Sequence, residues 1–226
     1  VITLTFSGFS VQLRTPSDPD ELLEALIAKE PSDSPAEELE DRIPYWAELW
    51  SSAVALSREL VDHPHWVNGK QVLEIGCGLG LPGIVAGKLG ASSVVLTDLL
   101  PDALRFARRN WEANLGRPAQ VHPMDWRQPE PELAADVVLA SDIAYEKRFF
   151  DQLPQAFRRL LRPGGTVLLS EPGRDMTEPF LQRLPENGFS MNSTISRGSW
   201  DGLAYEVHIL QLTLQEGSIE STGRVG

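Results

Sequence analysis

Cysteine, histidine and positive charge are scarce in this chain, and each scarcity closes off a class of function. A single cysteine, Cys77, among 226 residues leaves no intrachain disulfide and no thiolate cluster for zinc. Of only four histidines, His63 and His65 flank Pro64 with no third ligand at metal-like spacing. No metal is expected. Lysine and arginine total 20 against 32 acids, a formal net charge of -12. Nucleic-acid binding draws on neutralised phosphates, so no nucleic-acid partner is expected. Long apolar runs are absent too: none approaches the ~20 residues needed to cross a bilayer. The opening "VITLTFSGFSVQL" also lacks the basic region and cleavage site of a signal peptide. The expectation is a cytoplasmic protein with no membrane partner.

The acid excess is uneven. Ten acids fall between Asp18 and Asp41, against one lysine. A solvated helix and linker would carry such charge; so would an arm that faces a substrate. Residues 1–44 read as that arm: a β-hairpin around Ser7-Gly8, a helix in "DPDELLEALIAKE" capped by Asp18 or Asp20, and the linker "PSDSPAEELEDRIP". Residues 215–226 read as a mobile tail.

Between them, residues 45–214 alternate apolar strands with helices. "QVLEIG", "SSVVLTD", "AQVHPMDW", "ADVVLASD" and "TVLLSEPG" read as strands. "WSSAVALSREL", "LPGIVAGKLG", "PDALRFARRNWEANLG", "FFDQLPQAFRRLLRPGG" and a segment near "TEPFLQRLPENG" read as helices. "FSMNSTIS" and "AYEVHILQLTL" close the pattern as an antiparallel pair. Parallel neighbours need helical crossovers, so the fold class is α/β, a Rossmann-like doubly wound sheet of seven mainly parallel strands with an antiparallel last strand. Between Trp126 and Asp136 there is almost no room for a crossover helix. In such a sheet the ligand belongs at the carboxyl ends of the strands, which here carry Glu74 to Gly80, Asp98, Asp125-Trp126, Asp142 and Glu171.

The stretch "VLEIGCGLGLPG" sets the ligand class. The dinucleotide spacing G-x-G-x-x-G fails from Gly76, where Leu81 stands, and is off-register from Gly78; Gly87-Lys88-Leu89 lacks the hydroxyl of a P-loop. What remains is E-x-G-x-G-x-G, formed by Glu74, Gly76, Gly78 and Gly80. Bare backbone allows close approach to a ligand. A negative Glu74 beneath it suits the ammonium of a methionine moiety and opposes a pyrophosphate. Asp98 follows Gly78 by 20 residues, where a carboxylate accepts from ribose hydroxyls; Asp125 is placed to accept from an adenine amino group, with Trp126 against the ring. Leu99 and Ser141, beside these strand ends, join the expected cofactor set. S-adenosyl-L-methionine is the cofactor that fits.

At these residues the chain resembles the class I S-adenosylmethionine-dependent methyltransferases, over roughly Tyr45 to Leu214. "IPYWAELWSSAVAL" and "SDIAYEKRFF" make it similar to the seven-strand protein lysine methyltransferase group. That resemblance implies that Trp50 lies over the cofactor, that Asp142 and Tyr145 face the acceptor, and that the partner is a protein presenting a lysine. "SEPGR" is similar to the D-P-G-R run of the flavoprotein-modifying branch, with Glu171 in place of aspartate. Trp46 and Trp50, four apart, would share a face if both were helical; Trp46 is expected in the core or at its rim. Glu171 and Arg174 should meet at the cleft mouth, as a salt bridge or as substrate contacts. A methyltransferase for small amines would show the same cofactor half, and a non-catalytic binding module is the third reading.

Overall fold

The computed structural model describes residues 1–29, 31, 35, 39–174 and 178–215. Part of the expected linker and nearly all of the expected tail lie outside the described residues. Strands β1 (Ile2–Phe6) and β2 (Phe9–Leu13) form the hairpin, and Pro19–Lys29 is helix α1. Asp18 caps that helix, accepting from the Asp20 and Glu21 N–H groups at 3.0 and 3.2 Å.

The rest of the chain alternates: α2 (Ser51–Asp62), β3 (Gln71–Ile75), α3 (Leu81–Lys88), β4 (Ser93–Asp98), α4 (Pro101–Leu115), β5 (Gln120–Pro123), β6 (Ala135–Ser141), α5 (Leu153–Leu160), β7 (Leu161–Glu171), α6 (Glu178–Glu186), β8 (Phe189–Trp200) and β9 (Leu203–Leu214). The seven strands lie in the order β5-β4-β3-β6-β7-β9-β8, with β9 antiparallel to both neighbours. The chain builds outward from β3 to β5, then returns to the other side of β3 for β6 and β7, so β3 and β6 flank the point where direction reverses. A single 3-10 turn, Pro131–Leu133, replaces the missing crossover helix between β5 and β6.

Successive side chains of a strand face opposite ways, and here both faces are covered. Val72, Val137, Leu139 and Leu168 look toward α2, α3 and α4, in a core that also takes Leu4, Val11 and Leu13 of the hairpin. Leu73, Ile75, Val138 and Leu169 look toward α5 and α6, through Phe157, Phe180 and Leu184. Each such aliphatic side chain contributes about 1.5–3 kcal/mol on burial. The hairpin is sewn on by two asparagines of α4. Asn114 bonds both backbone groups of Gln12, and Asn110 does the same for Arg14, at 2.7–3.1 Å. Asn110 also donates to the Leu79 carbonyl at 3.1 Å, which ties the hairpin to the glycine turn. No described helix is long and apolar enough to cross a membrane.

Candidate active site

A cleft of about 380 Å³ opens at the carboxyl ends of β3, β4 and β6. Its floor is the turn between β3 and α3, where Gly76, Gly78 and Gly80 take φ of 59°, 51° and 82°, the left-handed region that only glycine enters freely. Gly80 caps α3, and its N–H donates to the Cys77 carbonyl at 2.7 Å. Asp98, at the end of β4, fixes the turn from the side. Its Oδ2 accepts from the Gly78 N–H at 2.9 Å and its Oδ1 from Leu100 at 3.0 Å. The residue is 8% exposed yet still lines the cleft, so lone pairs remain for a ligand's hydroxyls. Burial raises its carboxyl above the ordinary range, against the lowering effect of those N–H bonds.

Glu74 departs from its expected place. It shares a face of β3 with Val72, so its side chain runs beneath α3 and is not among the residues lining the cleft. Oε2 accepts from the Gly83 N–H at 2.9 Å, while Oε1 is buried without a hydrogen-bond partner. A Cβ on Gly83 would stand 2.6 Å from Oε2 and 2.3 Å from Leu96 Cδ2, so glycine there is what lets α3 settle onto this carboxyl. Desolvation, with a smaller contribution from Asp98, pushes the Glu74 pKa up to about 8. At neutral pH the group is uncharged. The negative charge expected under a methionine ammonium is therefore absent, and Glu74 supports the turn.

Trp46 lies in the core and Trp50 at the cleft, as expected, but not on one helix. Tyr45–Ala47 is a 3-10 turn, and Trp50 is the extended residue that caps α2, so the two rings share no helical face. Trp46 packs on Phe106, ring centroids 5.3 Å apart, and its backbone stands behind Gly78. Trp50, 39% exposed, lies at the cleft with its Nε1 donating to the Tyr45 carbonyl at 2.8 Å. Leu99, Trp126 and Ser141 line the cleft as well. So does Asp125, but both its oxygens accept from the Arg127 Nε, at 2.8 and 2.9 Å, and it offers a ligand only what those bonds leave.

The opposite wall carries Asp142 and Tyr145. Asp142, just past β6, is held at φ 56° with its N–H donating to the Ser170 carbonyl at 2.9 Å; among the described residues only Asp201 shares a positive φ without being glycine. Arg174 grips both carboxylate oxygens, at 2.5 and 3.1 Å. Glu171 Oε1 lies 3.5 Å from the same guanidinium, so the expected meeting is a salt bridge, but Glu171 is buried and only Arg174 lines the cleft. Tyr145 packs edge-on between Tyr45 and Phe149, at 5.7 and 5.9 Å, and Trp126 meets Phe149 at 5.0 Å. Burial holds the Tyr145 hydroxyl well above its ordinary value, and therefore neutral.

Sequence reading missed the ion pairs that close this wall. Asp41 accepts from Arg127 at 2.6 Å and from Arg148 at 2.8 Å, and both guanidinium groups lie over the Phe149 ring, at 5.7 and 4.5 Å. The arm's last acids, Glu40 and Asp41, thereby line the cleft. The surplus of acid before Tyr45 was the only signal for this in the sequence.

The profile of the family described as "Lysine methyltransferase" matches residues 37–187. The chain is 37% identical over 146 residues to the electron transfer flavoprotein beta subunit lysine methyltransferase of Xenopus laevis, covering 62% of this chain. It is also 37% identical over 111 residues to the histone-arginine methyltransferase METTL23 of Homo sapiens, covering 46% of this chain. It spans 58% of the length of each relative. The crystal structure of magnesium protoporphyrin IX methyltransferase from Synechocystis PCC 6803 with bound SAM shares the fold, with a TM-score of 0.58, 16% identity, and coverage of 86% of this chain and 91% of that one. With its profile match running from the arm's last acids through the glycine turn and both cleft walls to α6, the chain belongs to the lysine methyltransferase family.

Proposed function

We propose that this chain is an S-adenosyl-L-methionine-dependent N-methyltransferase whose acceptor is a lysine side chain of a protein. The observation that carries the reading is the pairing of two unlike walls in one cleft. A bare-backbone turn braced by Asp98 faces a carboxylate, Asp142, set among aromatic rings. The cofactor fits the residues present. Gly76, Gly78 and Gly80 leave the floor free of side chains, Asp98 keeps acceptor capacity for vicinal hydroxyls, and Leu99, Trp50 and Trp126 offer apolar surface. Asp125 and Ser141 complete that side. When bound, S-adenosylmethionine supplies an electrophilic methyl group on a sulfonium centre.

The chain's own residues must then orient a nitrogen and discharge it. A lysine has a reference pKa of about 10.4 and is almost wholly protonated at neutral pH. Asp142 draws in the ammonium by a charge-assisted hydrogen bond. Tyr145 and Tyr45 strip water from it, which lowers its pKa until the proton passes to solvent at the open mouth. Holding the free amine in one orientation is the main catalytic contribution of such a wall. The neutral Tyr145 hydroxyl adds a hydrogen-bonding group without a competing charge.

A protein acceptor is favoured over a small amine by the rim. Tyr45, Trp50 and Leu99, three of the eight large apolar side chains exposed among the described residues, stand at this mouth, where a docking protein would cover them. Both relatives named above carry names of enzymes that act on proteins, one at lysine and one at arginine; the family description favours lysine. The lone cysteine fits a reducing aqueous compartment such as the cytoplasm.

Incubation of the pure protein with labelled S-adenosylmethionine and a cell lysate should place label on lysine of a discrete protein, located by mass spectrometry. Asp142→Asn should lower that labelling at least about a hundredfold, roughly 3 kcal/mol, with cofactor affinity unchanged by calorimetry. Labelling at the parent rate would remove Asp142 from the acceptor role.

A further inference from the structure

The acceptor carboxylate is already occupied. Arg174 takes both oxygens of Asp142 in a fork, the strongest pairing a carboxylate makes with a side chain. The Asp142 side chain is only 10% exposed, whereas that of Arg174 is 35% exposed. An ammonium arriving from the cleft meets a guanidinium already bonded to both oxygens of its counter-ion, and the two like charges repel.

Two features separate this pair from a simple brace. First, Asp142 does not need Arg174 in order to point into the cleft. Its left-handed backbone and the N–H bond to Ser170 at 2.9 Å already fix the direction in which its side chain leaves the strand. Second, Arg174 has somewhere to go. It forms part of the wall of a second cavity, of about 290 Å³, which also presents Glu171, Glu178 and His208. Glu171 Oε1 already lies 3.5 Å from the guanidinium. A small rotation away from Asp142 exchanges one carboxylate for another.

We propose that Arg174 is a side-chain gate on the acceptor site. It occupies Asp142 in the resting enzyme and swings toward Glu171 and the second cavity when a substrate ammonium takes its place. The consequence is specificity. A free amine, with nothing but its charge to offer, competes poorly against a tethered guanidinium, while a lysine on a docked protein gains contacts at the rim that drive the exchange. This inference rests on the reading of Asp142 as the residue that binds the acceptor.

The test is a binding measurement on the full chain that needs neither cofactor nor turnover. n-Butylammonium chloride, the head of a lysine side chain, is titrated into the parent, R174A, R174Q and R174K, followed by saturation-transfer NMR and by tryptophan fluorescence; thermal melts establish that each variant is folded. R174A and R174Q should bind the probe at least tenfold tighter than the parent, and R174K should fall between. Adding D142N to R174Q should abolish the gain. Millimolar guanidinium chloride, which restores the missing head group, should displace the probe from R174A. A brace would give the opposite signs: equal or weaker binding in R174A and R174Q, and binding to R174A improved by guanidinium. Either result would overturn the gate. Should the lysate show no labelled lysine while these affinities behave as stated, the acceptor chemistry is wrong and the gate stands; if transfer is intact but the affinities do not move, the gate alone is lost.

Discussion

The two walls of the cleft are held by different forces. On the glycine side, the fixing contacts end on main chain: Asp98 on Gly78 and Leu100, Glu74 on Gly83, and Asn110 on Leu79. On the acceptor side, the contacts are ion pairs between side chains, with Arg127 and Arg148 reaching Asp41 from 86 and 107 residues away and Arg174 reaching Asp142 from 32. Main-chain contacts stay fixed while the strands stay paired. Ion pairs between long side chains can exchange partners, which suits a wall that must admit a second macromolecule. The glycine wall is scaffold; the acceptor wall is adjustable.

The largest effect that would sharpen this contrast concerns Glu74. Its carboxyl remains protonated in the folded chain up to a pKa of about 8, against an ordinary value of 4.5. Between those limits the unfolded chain loses its proton first. The contribution to stability is therefore full below about pH 4.5, falls as the pH rises through the window, and is flat above about pH 8, a change on the order of a few kcal/mol. Glu74→Gln cannot ionise and should lack that slope. Denaturant unfolding of parent and variant at pH 5, 7 and 9 measures it; parallel pH profiles would mean that Glu74 is charged in the fold and that the turn rests on something else.

The same contrast explains what could be read from the residues alone. Fully apolar runs such as "VVL" in β4 and β6, set between helices with Pro101 at one start and Gly116 at one end, announced a buried parallel sheet and its order of elements. The glycine spacing announced a ligand turn, because its causes are local. Glu74 was misplaced because a strand buried on both faces carries no polar alternation to show which way an acid points. Trp50 was legible as the residue just before its helix, because Ser51 and Ser52 mark where that helix begins. The latch through Asp41, the asparagine stitches from α4 to the hairpin, and the Arg174 fork join residues that only the tertiary fold brings together, and no periodicity marks them.

A middle-sized effect is expected at Asp98. Asparagine keeps one acceptor oxygen for the backbone but removes the charge, and charge-assisted hydrogen bonds are worth about 1.5–3 kcal/mol. Asp98→Asn should weaken S-adenosylmethionine binding in a calorimeter by roughly tenfold to a hundredfold. It should leave n-butylammonium binding to R174Q unchanged, because that probe reports the other wall. Loss of both together would show that the two walls are one cooperative unit, and an undiminished cofactor affinity would take Asp98 out of the site.

The smallest effect belongs to the latch. Asp41 and Arg127 are each about one-fifth to one-quarter exposed, close enough to solvent for water and salt to screen the pair. Exposed and half-exposed ion pairs contribute at most about 1 kcal/mol, and Asp41 serves two guanidinium groups at once, so Asp41→Asn should cost about 0.5–1 kcal/mol in low salt. Both cations retain other partners, Arg127 on Asp125 and Arg148 on Glu146, and the Phe149 ring still lies beneath them. The loss should therefore shrink toward zero in 0.5 M sodium chloride, where the Debye length is down to roughly 4 Å, and cofactor affinity should not change at either salt concentration. Denaturant unfolding at the two concentrations reads the first, calorimetry the second. A loss that persisted undiminished in high salt would place the latch on the rigid side of the comparison, and the division between a fixed wall and an adjustable one would have to be given up.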